Sequence, residues 1–319
     1  MTIAGRAVNP QLVWAGGGVL ALLIVATVVG LVLRATIGDR DLGGKIHNLN
    51  ARIRGWWVMF LVFGLMLIVG QTGALVLFGF ISFFALREYL SLVATRRADH
   101  RVLFWTFFIF TPLQYYLLSI QWLGFFIVIP VYAFLFIPAA MAFRGDSKAF
   151  LERAAKIQWG LMLCVYCLSH APALLLLQIN GYGPDAKVLL FLVIVDQFSG
   201  VLQYAFGTLF GRHKVAPSIS PSKTWEGSVG GILGATLVGT TIWWLTPFSI
   251  PVAALISFTI ALLGFAGRLV MAAIKRDQGV KEYGTMISGQ GGMLDRMDSL
   301  IFAAPVFFHI VRFFYALPR

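Results

Sequence analysis

The sequence predicts an all-α, polytopic helical membrane protein of about ten transmembrane helices, on three observations. Of its 319 residues, 59% are hydrophobic and 12% charged, and mean hydropathy is +0.84. That composition leaves no polar shell for a water-soluble, two-domain chain. Apolar windows near the ~20 residues needed to cross a bilayer recur along the whole sequence. The basic residues gather in alternate loops, as they do in chains that thread a membrane.

The windows fall near 12–33, 56–70, 74–86, 103–119, 123–143, 158–178, 187–210, 229–246, 251–270 and 298–316. The first follows an N-terminus with one basic residue and no small-residue cleavage pattern, so it reads as an uncleaved helix. The second and third are short and joined only by Gln71-Thr72-Gly73, which fits a tight hairpin or one broken segment. Pro112, Pro130, Pro138 and Pro172 interrupt or kink spans, as membrane helices tolerate around internal cavities. With the N-terminus outside, the loops 34–55, 87–102, 144–157, 211–228 and 267–297 face the cytoplasm and hold 21 of the 25 Lys and Arg residues. Only Arg6, Lys187, Arg312 and Arg319 fall on the other side. The expected location is the cell inner (cytoplasmic) membrane, with both large polar loops of the C-terminal half open to the cytoplasm.

The net charge of +12 invites a nucleic-acid reading. The positive-inside rule accounts for it better, so no nucleic-acid partner is expected, although such a surface also favours acidic headgroups and nucleotide phosphates. Cys164 and Cys167 form a C-x-x-C inside an apolar span with no second pair, and read as packing residues. No repeat or inverted pair of interrupted helices points to a transporter. Segments 34–55 (Lys45, Arg52, Arg54 with Ile46, Leu49, Ile53) and 144–157 are expected to be amphipathic surface helices without chemical roles, the second capped by Asp146 or Ser147.

Two polar constellations remain. The first runs Gly207-Thr-Leu-Phe-Gly211-Arg212-His213-Lys214, then Ser220-Pro221-Ser222-Lys223-Thr224-Trp225-Glu226-Gly227 and Gly230-Gly231. It does not match the G-x-x-x-x-G-K-[ST] phosphate loop. A lysine between two hydroxyls at a helix entrance can grip phosphate with help from the helix dipole. The same residues also read as a helix cap, a snorkelling lysine and an interfacial tryptophan, and the pattern favours neither.

The second constellation holds Lys275, Arg276, Gly279, Lys281 and Glu282, then Gly289-Gln290-Gly291-Gly292 before Asp295, Arg296 and Asp298. Arg276 or Asp277 alone is ordinary loop chemistry. Asp295 and Asp298 enter an apolar span, where carboxylates are costly and are usually paired or metal-bound.

Together these residues resemble the phosphatidate cytidylyltransferases, the CDP-diacylglycerol synthases, in a bacterial branch with a longer N-terminal half. The motifs are Ser220-Pro221-x-Lys223-Thr224-Trp225-Glu226-Gly227, Lys275-Arg276-x4-Lys281-Glu282 and Gly291-Gly292-x-x-Asp295-Arg296-x-Asp298-Ser299. The similarity is specific over about 187–316 and looser upstream, where Leu86-Arg87-Glu88-Tyr89 matches an Arg-Glu pair ending an early family helix. It implies an N-terminal transmembrane half, 1–157, and a C-terminal cytidylyltransferase-like catalytic half, 158–319. The implied reaction is CTP plus phosphatidate giving CDP-diacylglycerol and pyrophosphate, with Mg²⁺ as cofactor and a homodimer as the family expectation. Asp295, Lys275, Arg276 and Lys281 are then expected in catalysis. Ser220, Lys223, Thr224, Glu226 (orienting Lys223), Gly291, Gly292 and Arg296 are expected around the substrates, and Asp295, Asp298 and Asp196 on the metal.

The sequence also departs from the family pattern. Arg268 stands where the family has an aspartate, Ala272 near its serine, Glu282 for its second aspartate, Gln290 for its histidine, and Gly200 for an upstream aspartate that Asp196 can replace from one turn earlier. Arg268 reverses a charge beside the metal position and is expected to pair with Asp295. The alternative function is therefore a catalytically impaired homologue that binds lipid or nucleotide without turnover.

Overall fold

The computed structural model describes residues 2–3, 6–7, 10–37, 45–93, 95–122, 124–179, 182, 186–286 and 291–316. Ten helices correspond one for one to the ten expected windows: α1 Pro10–Ile37, α2 Lys45–Val69, α3 Gln71–Leu92, α4 Arg97–Ser119, α5 Phe125–Ala142, α6 Phe150–Leu176, α7 Lys187–Phe210, α8 Trp225–Thr241, α9 Ile250–Asp277 and, after the short α10 Met293–Met297, α11 Leu300–Tyr315. Seven are long and apolar enough to cross a membrane, and Ile53–Val69 and Leu300–Tyr315 are shorter apolar helices. Sheet is confined, among the described residues, to two antiparallel pairs: β1 (Thr2–Ile3) with β2 (Arg6–Ala7), and β3 (Lys214–Ala216) with β4 (Ser220–Thr224).

The chain is a multi-pass, all-α membrane protein. α7 packs along α8, α8 along α9 and α9 along α11, while α3 joins this group through α10 and the end of α6. The α7–α8 contact needs glycine: a Cβ on Gly227 would stand 2.7 Å from the Gly207 Cα. Small residues that let backbones approach are how helices associate in lipid, which supplies no hydrophobic drive between them. Polar side chains add cross-helix bonds: Gln114 Nε2 donates to Ser169 Oγ at 3.0 Å, and Ser82 Oγ meets Tyr115 Oη at 2.7 Å. α1 is only 11% buried over its apolar window. It is tied by Trp57 Nε1 donating to Thr27 Oγ1 and Lys187 Nζ to Gln11 Oε1, each at 3.0 Å.

The junction of α2 and α3 is a break at Gly70, whose φ of 81° lies in the left-handed region. The helices run through their prolines by widening locally: π-turns occupy Thr106–Phe110 just before Pro112 and Val128–Ala133 around Pro130. Such turns re-satisfy carbonyls that a proline cannot bond. Cys164 and Cys167 lie in a third π-turn, Met162–Cys167, as free thiols, as their apolar setting implied.

Two expectations are corrected. Residues 45–55 are not a separate surface helix but the first turns of α2, with Ala51 and Ile53 buried. Residues 150–157 likewise begin α6, and Arg153 there is buried rather than surface-lying. Arg153 pairs at 3.1 Å with both Asp99 and Asp146, and Asp146 also takes Arg96 at 3.2 Å. Asp146 therefore does not cap α6, whose preceding residue is Ala149 with φ 50° and no side-chain cap. Its carboxylate is held below the usual range mainly by the Arg96 hydrogen bond.

Candidate active site

The first constellation folds as a hairpin leading into α8. β3 and β4 pair Lys214 with Thr224 and Ala216 with Ser220, and Thr224 caps α8 by accepting the Gly227 N–H at 3.2 Å. Ser228 Oγ returns a bond to the Thr224 carbonyl at 2.8 Å. Thr224 is thus a buried cap, the blander of its two sequence readings. Ser220 lies half-buried on β4, three residues before Lys223 on the same strand.

Glu226 does not orient Lys223. It accepts the N–H groups of Arg212 at 3.0 Å and His213 at 3.2 Å and pairs with the His213 ring, which together hold its carboxylate down to about 2. The glutamate therefore closes the base of the hairpin. Lys223 is carried inward instead. Its Nζ is buried with no hydrogen-bond partner among the described residues and lies 5.3 Å over the Phe265 ring of α9. Burial lowers the amine to about 8; Arg268 and Lys275 add to this, while Asp298 opposes it.

The second constellation is organised around α10. Glu88, at the end of α3, accepts the N–H groups of Met293 at 2.9 Å and Leu294 at 2.8 Å. Asp295 Oδ2 accepts those of Tyr283 and Gly292, each at 2.9 Å, and Oδ1 takes Lys275 Nζ at 2.7 Å. Gly291 turns with φ 82°, where a Cβ would stand 2.7 Å from Asp295 Oδ2, and Gly292 begins the helix. Both oxygens of Asp295 thereby hold protein groups, which fixes the carboxylate against Lys275 and the start of α10. Arg296 is half-buried on α10. Gly289 and Gln290 lie outside the described residues.

A buried polar group joins α7, α9 and the turn before α11. Asp196 Oδ2 accepts Ser299 Oγ at 2.7 Å and Gln197 Nε2 at 3.3 Å, whereas its Oδ1 has no hydrogen bond among the described residues. Arg268 donates to Ser199 Oγ at 3.0 Å and stands 3.8 Å from Asp196 Oδ1. The expected Arg268–Asp295 pair is corrected: Asp295 is satisfied by Lys275, and Arg268 turns to α7. Gly200 lies beside the guanidinium, since a Cβ there would meet Arg268 Nη1 in ordinary contact at 3.5 Å. A carboxylate side chain in that position would compete with Ser199 and Asp196 for the guanidinium.

Asp298, in the turn between α10 and α11, makes no hydrogen bond through its carboxylate among the described residues. Burial raises it to about 6, countered by Arg268, Lys275 and Lys223 and reinforced by Asp196. These mutual influences put the three cations and two of the carboxylates within electrostatic reach of one another, as one cluster.

Two expected residues are exposed. Arg276 is exposed and spends its guanidinium on backbone carbonyls, Ile219 at 3.2 Å and Val280 at 3.1 Å, bracing the hairpin against α9. Lys281 is exposed and unpaired among the described residues. Sequence reasoning missed the cap by Glu88, the backbone clamp from Tyr283, and Ser199 and Ser299. Ser199 could have been read from its place one helical turn after Asp196, on the same face.

Comparison with known proteins identifies the family. The profile of the cytidylyltransferase family matches residues 50–314. YnbB of Escherichia coli K12, an uncharacterized protein, is 38% identical over 295 residues, covering 92% of this chain and 96% of that protein. A phosphatidate cytidylyltransferase of Mycobacterium leprae is 37% identical over 138 residues, 42% of each chain. One of Staphylococcus saprophyticus is 40% identical over 120 residues, 37% of this chain and 46% of that one. The match therefore covers less than half of either of those two proteins. With the profile spanning most of its length, the chain belongs to the cytidylyltransferase family.

Proposed function

We propose that the chain is a phosphatidate cytidylyltransferase of the cytoplasmic membrane, joining CTP to phosphatidate to give CDP-diacylglycerol and pyrophosphate. One observation carries this reading: Lys223 Nζ is buried with no hydrogen-bond partner among the described residues, in a polar cluster with Arg268, Lys275 and Asp298. A buried ammonium left unpaired is costly, and a phosphate oxygen is the group that would satisfy it. The named homologues among the similar proteins act on the same lipid class.

In the reaction, a phosphate oxygen of phosphatidate attacks the α-phosphorus of CTP. The bond from that phosphorus to the bridging oxygen of the β-phosphate breaks, and pyrophosphate leaves with the electron pair. Catalysis then consists of alignment and charge neutralisation. Lys223 and Lys275 bind phosphate oxygens, with Asp295 fixing the direction of the Lys275 ammonium. Lys281, at the exposed rim, meets the outer phosphates, and Arg276 keeps the hairpin closed on the site. Arg268 lies nine residues before the end of α9, about 14 Å down the helix axis, a depth suited to the lipid phosphate.

The donor set fits Mg²⁺ only together with substrate. Among the described residues no three His, Cys, Asp or Glu side chains form a metal-binding group. Asp298 and Asp196 Oδ1 are nonetheless open, and Mg²⁺ commonly takes one or two carboxylates plus substrate phosphates. Asp298, with Asp196, would hold it, and the ion would supply further neutralisation of the triphosphate.

A second reading, binding without turnover, rests on the Arg268–Asp196 contact occupying part of this space. Incorporation of labelled CTP into CDP-diacylglycerol by purified protein, with and without Mg²⁺, separates the two. Turnover by the wild-type chain that Asp298→Asn abolishes supports the enzyme. Tight CTP binding without product, with turnover appearing in Arg268→Asp, supports the binder.

A further inference from the structure

The end of the bundle opposite the polar site contains a cavity of about 1020 Å³. It is formed where the α4–α5 turn, the end of α6 and the last two turns of α11 meet, and aromatic and aliphatic side chains such as Phe125, Phe126 and Phe308 make most of its wall. Its polar groups are few: Arg312, His309, Gln121 and Gln178.

Arg312 is the unusual member. It is one of the four cations that depart from the positive-inside pattern, and it lies in the last turn of an otherwise apolar helix. Among the described residues it has no carboxylate partner; its guanidinium rests 4.5 Å over the Phe126 ring. A cation at this position carries a desolvation cost that a ring face offsets only partly. Gln121 is a second, independent oddity. Its φ of 55° puts a non-glycine residue in the left-handed region, a conformation that persists where the surroundings require it. The turn it bends lies at the rim of the same cavity.

The level of the mouth is marked by exposed aromatic residues, Trp122, Tyr116, Phe313 and Phe314. Tyrosine and tryptophan concentrate where headgroups meet hydrocarbon, which sets Arg312 at the depth of phospholipid phosphates. The volume is at the upper end of ordinary ligand pockets, about 300–1,000 Å³.

We propose that this cavity is a second lipid site, distinct from the anion pocket, that holds one anionic phospholipid of the opposite leaflet. The guanidinium fork of Arg312 takes the phosphate in a geometry that arginine offers and lysine does not. Gln121 and Gln178 bond the headgroup, and an acyl chain lies along Phe125, Phe126 and Phe308. The site involves no reaction.

The test uses the full chain carrying Lys223→Gln, so that the pocket at the other end does not contribute a retained anion. Purified protein is equilibrated with equal amounts of dioleoyl phosphatidylglycerol and dioleoyl phosphatidylcholine, and bound lipid is counted by native mass spectrometry. The anionic lipid should be retained about tenfold over the zwitterionic one, the size of a charge-assisted contact. Adding Arg312→Gln should remove that preference, and Arg312→Lys should leave it partly intact. Val306→Trp, which projects into the cavity, should lower retention of both lipids. Thermal melts followed by circular dichroism verify that each variant is folded, and Arg312→Lys provides the reading if the glutamine variant is not. Equal retention of the two lipids in the Lys223→Gln protein overturns the proposal. So does a preference that survives Arg312→Gln, or retention of both lipids unaffected by Val306→Trp.

Discussion

Replacing Glu88 by glutamine probes the joint between the two halves of the chain. The carboxylate is 7% exposed and accepts two backbone N–H groups of α10, at 2.9 and 2.8 Å. Glutamine keeps one acceptor oxygen and turns an NH₂ group toward the other donor, so one buried N–H loses its partner. Hydrogen bonds to charged groups contribute about 1.5–3 kcal/mol each, and a buried orphan donor costs a similar amount. A local loss of about 2 kcal/mol follows, confined to α10 because Asp295 still holds its first turn through Gly292. Hydrogen–deuterium exchange of peptides covering Met293 and Leu294 should then speed up roughly 30-fold, since each 1.4 kcal/mol is a factor of ten. Peptides from α4 and α5 should not change. Unchanged protection at Met293 and Leu294 would refute the capping role. Uniform loss across the chain would show a global defect instead of a local one.

Other outcomes follow from the same geometry. The pH dependence of kcat/KM should be bell-shaped, because Asp298 must be ionised and Lys223 protonated in the free protein. Asp298 is raised to about 6 and so is charged only above that pH, while Lys223 is lowered to about 8 and so is charged only below it. The optimum should therefore lie between, and Lys223→Arg should extend the upper limb; a flat profile from pH 5 to pH 9 argues against both assignments. Arg153→Met strips the cation from Asp99, which is 1% exposed, and should destabilise by about 3–5 kcal/mol, read as a fall in denaturation midpoint. Arg268→Met and Asp196→Asn should each lower the thermal midpoint, and the double variant should lose less than their sum, which a double-mutant cycle measures directly.

Helix number and loop polarity were legible because hydropathy and charge act residue by residue over long windows. Every expected span from 12–33 to 298–316 has its helix, and the basic loops lie between them. Lys223 was less legible, since its sequence fitted a phosphate grip and a snorkelling side chain equally, and Lys275 lies in the last turn of α9, where a basic residue is ordinary. What the sequence hid was pairing. Asp295, Lys275 and Arg268 stand close enough in the chain that several ion pairs satisfy charge equally. Only the packing of α7 against α9 gives Arg268 to Ser199 and Asp196. Glu226 was misassigned for the same reason, since its partner His213 lies across a hairpin whose register is not written in local pattern. The segment 144–157 read as a surface helix because its charges are dense, yet Arg153 is buried by Asp99, a residue 54 positions away.

The account depends on the hairpin before α8 and the loop before α10 forming one polyanion pocket. Label transfer from CTP to CDP-diacylglycerol, measured for the purified wild-type chain and for Lys223→Gln and Lys275→Gln, tests this most directly. The account predicts turnover in the wild type and a loss of about 100-fold or more in each variant, as removal of one preorganised charge contact costs about 2.7–4 kcal/mol in other sites. A Lys223→Gln protein that transfers the label at the wild-type rate would contradict it.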